Sequence, residues 1–161
     1  MILQYIKFIA TFFIAYLLFF GSVFSQSKQV DEWEKELSKT TGQDRINLLV
    51  KLSKELRKEN IHRAKSLSEE GILLAKEMGD SLSMHRMGYN LGTIYNQLRD
   101  TDKGIEWTQK SINYFEKDPK LEFDNAKAKI NLASLYINKI EYSKADSLIT
   151  ESESYFKTEN L

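Results

Sequence analysis

From Val30 onward, apolar residues recur every three or four positions with polar residues opposite them, the pattern of helices that each bury one stripe. Capping and stop residues divide this pattern into seven helices. A short one covers about 30–40 and ends at Thr41-Gly42. The second begins after Asp44, sets Ile46, Leu49, Leu52 and Leu56 on one face, and ends near Lys58. The third, about 61–78, turns Ala64, Leu67, Gly71, Leu74, Ala75 and Met78 inward and stops at Gly79. The fourth, about 81–98, carries Met84, Met87, Gly88, Leu91, Ile94, Tyr95 and Leu98. The fifth, about 101–116, opens at Asp100-Thr101, where a short side-chain oxygen can accept from the free amides of the first turn. Asp118-Pro119 then interrupts the chain, because proline lacks the amide hydrogen and biases its predecessor away from helix. The last two runs cover about 121–139 and 142–157.

Very short turns force consecutive helices to lie antiparallel, so helices two to seven form three hairpins. The hairpins are copies of one another. At an offset of 41 residues Asn90, Leu91, Tyr95 and Lys103 meet Asn131, Leu132, Tyr136 and Lys144, with Gly92/Ala133 and Gly104/Ala145 both small. With Ala64, Gly104 and Ala145 as anchors, the second helices share Leu67, Trp107 and Leu148, then Gly71, Ser111 and Ser152, then Ala75, Phe115 and Phe156. A small residue where two helices cross lets the backbones approach, and a large one a turn away fills the space beside it. Glycines inside helices cost roughly 1 kcal/mol each relative to alanine, which close approach can return. The expectation is an all-α solenoid of three hairpins, 44–79, 81–117 and 121–157, behind a short leading helix at 30–42.

Residues 1–25 are a different material. Lys7 is followed by the apolar run Phe8 to Phe20, then Gly21 and Ser22, with Val23 and Ser25 at the −3 and −1 places of a cleavage site before Gln26. That order is a secretory signal, and the expected location is outside the cytoplasm, in the periplasm. Counted from Phe8 to Phe24, the segment is also long enough for an uncleaved inner-membrane anchor. The whole chain balances 23 Lys and Arg against 23 Asp and Glu, which leaves no cationic excess for sequence-independent nucleic-acid binding. It has no cysteine, so disulfides, thiolate metal sites and thiol nucleophiles are excluded.

Leu-small-x-x-Tyr in a first helix, with a small residue nine positions later opening a second, resembles the tetratricopeptide repeat (TPR). Leu91, Gly92, Tyr95 and Gly104 match it, as do Leu132, Ala133, Tyr136 and Ala145; Leu52, Ser53, Leu56 and Ala64 match more loosely. The chain departs from the family in placing Gly88 and Lys129 where an early tryptophan belongs, in lacking the late proline, and in a spacing of about 40 residues instead of 34. The resemblance implies a right-handed superhelix over about 44–157. The signal, leading helix and first hairpin together also resemble the extracytoplasmic TPR region of Bacteroidota sensor histidine kinases and helix-turn-helix regulators.

Little in the sequence suggests chemistry. His62 and His85 stand alone, outside any metal-binding spacing, and read as surface residues, His85 on the exposed start of its helix. No nucleophile elbow or phosphate-cradling loop occurs. We therefore expect no enzyme, catalytic residue, metal or cofactor. The resemblance implies that the first helices line a concave groove, which assigns it Asn47, Lys51, Lys54 and Lys58, then Arg86, Tyr89, Asn90, Thr93, Asn96 and Gln97, then Lys127, Asn131, Ser134 and Asn138. This face is expected to be rich in amides and cations without a carboxylate, suited to a ligand presenting backbone amides and carboxylates. Of the carboxylate-holding set of co-chaperone TPR domains, Asn90 and Lys127 correspond in place, whereas Val50 and Lys54 replace the first lysine and asparagine. The expected function is an exported scaffold for a protein or peptide partner, with no nucleic acid and with membrane contact only through 1–25 if that segment stays uncleaved. The alternative is the sensory region of a two-component kinase or helix-turn-helix transcriptional regulator. Ile149 and Phe156 are expected to face a further repeat or, through self-association of the C-terminal repeat, a second chain.

Overall fold

Side-chain oxygens start the helices where the sequence places them. Asn60, Asp80 and Asp100 accept from the amides of Arg63 (3.0 Å), Ser83 (3.0 Å) and Lys103 (3.4 Å), capping α3 (Ile61–Glu77), α4 (Ser81–Gln97) and α5 (Thr101–Phe115). The computed structural model describes residues 28–158, and these also include α1 (28–37), α2 (Gly42–Leu56), α6 (Glu122–Asn138) and α7 (Tyr142–Thr158). The expected signal or anchor at 1–25 lies outside the described residues. No described helix is long and apolar enough to cross a membrane.

Three boundaries differ from expectation. α1 already runs from residue 28 and closes at 37. α2 begins at Gly42, two residues before Asp44, because glycine accepts the positive φ of 57° needed there. The Asp118-Pro119 break is itself ordered: Asp118 accepts from the Lys120 amide at 3.0 Å and starts a 3-10 turn, Pro119–Leu121, that leads into α6. Met78, expected inward, lies beyond the end of α3 and is 46% exposed, while Ile72 is buried.

The chain falls into two units, one ending at Lys39 and the other starting at Thr40. In the first, Val30 and Leu37 are the buried apolar residues of α1. In the second, α2 pairs with α3, α4 with α5 and α6 with α7, and each hairpin stacks on the next through α3 with α4 and α5 with α6. The first helices also touch in series, α2 with α4 and α4 with α6. This is a helical solenoid, in which each hairpin contacts its neighbours.

The crossings need their small residues. A methyl on Gly92 would fall against the Thr108 hydroxyl and 3.1 Å from the Gly104 carbonyl, while one on Gly104 would lie 2.6 Å from Leu135 of α6. Around them Ile112, Phe115, Ala128, Leu132 and Leu135 form a core between the second and third hairpins.

The copying extends to individual contacts. The Ser111 hydroxyl of α5 donates to the His85 carbonyl of α4 at 2.9 Å, and Ser152 of α7 donates to Ala126 of α6 at 3.3 Å. Lys103 lies over the Tyr95 ring (5.5 Å) and pairs with Asp100; Lys144 lies over Tyr136 (5.1 Å) and pairs with Glu141. The turns inside these two hairpins pass through Arg99 and Ile140, at φ 63° and 65°.

Candidate binding face

α2, α4 and α6 present the face that the sequence assigns to binding. A cleft of about 300 Å³ opens on it. α2 supplies Val50 and Lys54, with Arg57 at its C-cap; α4 supplies Arg86, Tyr89 and Asn90; α6 supplies Asp124 and Lys127. The structure thus brings together five of the predicted groove residues, Lys54, Arg86, Tyr89, Asn90 and Lys127. Lys51 and Asn47 are exposed on α2 outside the lining of the cleft, and Lys58 is exposed in the turn after it.

The roles of these residues differ from expectation in several respects. Asn90 is only 8% exposed, and its amide is shared between the hydroxyls of Ser53 (2.7 Å) and Ser68 (3.2 Å). Asn131, 9% exposed, donates to the Thr108 hydroxyl at 2.9 Å. Neither amide is left free for a ligand, because each satisfies a buried hydroxyl on the preceding hairpin. This takes a further member away from the carboxylate-holding set. The expectation of a face without carboxylates also fails, since Asp124 accepts from Arg86 Nε (3.0 Å) and Nη2 (2.7 Å).

Farther along the same face, Asn138 donates to the Asn96 side-chain oxygen at 2.7 Å, and Asn96 donates to the Ser134 hydroxyl at 3.1 Å. These residues join α4 to α6 at the surface. Gln97 is exposed, and the Thr93 hydroxyl donates to the Tyr89 carbonyl.

Two residues of the cleft escaped sequence reasoning. Asp124 stands in the first turn of α6, where an acid is expected simply to complement the helix dipole. Arg57 reads as a solvated residue at a helix end, yet its Nε is buried with no hydrogen-bond partner among the described residues. The cleft therefore holds four cations, Lys54, Arg57, Arg86 and Lys127, against the single carboxylate of Asp124. Lys127 rests over the Tyr89 and Phe123 rings, 5.8 and 4.9 Å from their centroids.

His62 is exposed as expected, but His85 is partly buried and stacks on Tyr114 with centroids 4.3 Å apart. Burial, with the Lys117 charge second, holds its pKa below the ordinary value of 6.5. Among the described residues no group of three side chains could hold a metal ion.

At the end of the third hairpin, Ile137, Tyr142, Ala145, Asp146 and Ile149 line a shallow depression. Ile149 stands on α7 where α3 has Ser68 and α5 has Thr108. Phe156 does not belong to this surface, because it packs edge-on against Phe123 of α6 with centroids 6.4 Å apart.

No protein-family model matches the chain, and no curated protein matches it. Among solved structures, the crystal structure of BtubC (BKLC) from P. vanneervenii is similar in fold, with a TM-score of 0.75 at 15% identity. The similarity covers 84% of this chain and 58% of BtubC, so the chain spans a little over half of that protein's length.

Proposed function

We propose that the chain is a tetratricopeptide-type interaction scaffold that works outside the cytoplasm and holds a protein or peptide partner on the face shared by α2, α4 and α6. The observation that carries this reading is the cleft on that face, which gathers Lys54, Arg57, Arg86 and Lys127; among the described residues Arg57 Nε has no hydrogen-bond partner, and Lys127 rests over ring faces. Long charged side chains converging in excess of their counter-ions suit an external anionic or hydrogen-bonding partner. The repeat type rests on Leu91, Gly92, Tyr95 and Gly104 and their counterparts 41 residues on. Export rests on Lys7 and the apolar run after it. The depression at Ile149 offers the same scaffold a surface for self-association.

Site-specific photo-crosslinking in the producing cell tests the interaction reading. A photoreactive residue at Lys51 or Gln97, both exposed on the first-helix face, should yield one common adduct. The same group at Lys76 of α3 or Lys110 of α5, exposed on second helices, should not yield it. Equal adducts from all four sites, or none from the first two, would refute the assignment.

A further inference from the structure

We infer that Asp124 is a built-in stand-in for the ligand: its carboxylate occupies Arg86 in the free protein and yields that place to an acidic side chain of a bound peptide. The inference rests on the interaction reading above and assigns the chemistry of its cleft.

Arg86 approaches one carboxylate oxygen of Asp124 with both Nε and Nη2, at 3.0 and 2.7 Å, which shows that this wall of the cleft can hold a carboxylate. Its side chain remains 47% exposed, so a second carboxylate can reach it from solvent. Arg57 and Lys54 lie in the same cleft with no ion pair among the described residues, and Arg57 Nε is buried there without a hydrogen-bond partner. One carboxylate among four cations leaves an uncompensated charge of about three, enough to favour a segment with more than one acid. Tyr89, partly buried under Lys127, gives the segment an aromatic wall.

A peptide is favoured over nucleic acid because the cationic cluster is confined to this cleft in a chain of zero net charge. The same confinement explains why a competing carboxylate is useful. An open cluster of four cations would attract any anion, whereas a carboxylate held in place admits only ligands that outbid it at Arg86 and also engage Arg57.

The test uses the full chain and a fluorescein-labelled tetraglutamate peptide, with tetraglutamine and oligothymidylate as comparison probes. Anisotropy gives affinity, and amide chemical shifts give the place of binding. Tetraglutamate should bind, shift the amides of Arg57, Tyr89 and Lys127, and bind several-fold more tightly to Asp124→Asn, since removing one like charge in a partly screened cleft is worth a factor of about three to ten. Asp102→Asn makes the same change in net charge at the exposed Lys139 pair and should leave affinity unchanged. Arg57→Gln should weaken binding by about threefold or more.

Unchanged or weaker binding by Asp124→Asn, equal tightening by Asp102→Asn, shifts centred elsewhere, or preference for tetraglutamine or oligothymidylate would each overturn the inference. If the crosslinks from Lys51 and Gln97 persist unchanged in Arg57→Gln and Asp124→Asn, the interaction reading stands and the acidic subsite falls. If those crosslinks are absent in the unsubstituted protein, both fall.

Discussion

Asn90→Ala separates a structural amide from a ligand-binding one. The substitution removes two hydrogen bonds, to Ser53 at 2.7 Å and to Ser68 at 3.2 Å. Each is worth about 1 kcal/mol net. The two hydroxyls keep their own donations, Ser53 to the Val50 carbonyl and Ser68 to the Ala64 carbonyl, so no donor is stranded. The void left by the carboxamide, at about 24 cal/mol per Å³ over a few tens of Å³, adds up to about 1 kcal/mol. The expected loss is therefore about 2–3 kcal/mol. In urea, where the slope is about 1–3 kcal/mol/M, this lowers the midpoint of the helical signal by about 0.7–3 M. Asn131→Ala, with one hydrogen bond to Thr108, should lose roughly half as much. Asn138→Ala breaks only an exposed contact and should stay within about 0.5 kcal/mol. Adding Ser68→Ala to Asn90→Ala should cost less than it does alone, with a coupling of about 1 kcal/mol. If Asn90→Ala unfolds within about 0.5 kcal/mol of the unsubstituted protein, the amide belongs to the open face and the account of the stack is wrong.

Two other perturbations test the packing. Gly92→Ala meets the Gly104 carbonyl and Thr108 amide of the facing backbone, which cannot move aside, and should cost about 1–3 kcal/mol in urea unfolding. Gly71→Ala meets only the flexible end of Met87, and helix propensity returns about 1 kcal/mol, so its effect should be clearly smaller. Stability should also fall as pH drops. His85 is held below its ordinary value of 6.5 in the folded chain, so the unfolded chain binds the proton first, and stability present above that value is lost as pH falls through the lower folded value. Melting temperatures measured from pH 7.5 down toward 5 should decline in the unsubstituted protein and decline less in His85→Phe, which keeps a ring against Tyr114.

The starts of α3, α4 and α5 were legible because each rests on local chemistry. Asn60, Asp80 and Asp100 announce a start within a few residues, and the apolar stripe identifies the inner face. The positive φ at Arg99 and Ile140 was not legible, because neither residue is a glycine and the turns are imposed by the hairpins on either side. The site was harder for a related reason. Asn90 looks like any helix-surface amide until Ser53 and Ser68, 37 and 22 residues earlier, are brought beside it. A signal did exist: hydroxyls at Ser68 and Thr108 recur together with asparagines at Asn90 and Asn131. Asp124 and Arg57 carried no such signal, since charge at a helix end is ordinary and only the approach of α2, α4 and α6 turns it into a cleft.

The recurring asparagine and hydroxyl amount to a grammar for which hairpin can follow which. Asn131 of the third hairpin finds its hydroxyl on Thr108 of the second, and Asn90 finds one on Ser68 of the first. A duplicate of the α4–α5 hairpin inserted between the second and third would obey the same syntax at both of its joints, offering Asn90 to Thr108 and Thr108 to Asn131. The same duplicate placed after α7 would set its asparagine against Ile149, a side chain with no polar atom to answer it. Lengthening the array is therefore a matter of position as well as of unit, and the second hairpin is the one word in this sequence that can be repeated.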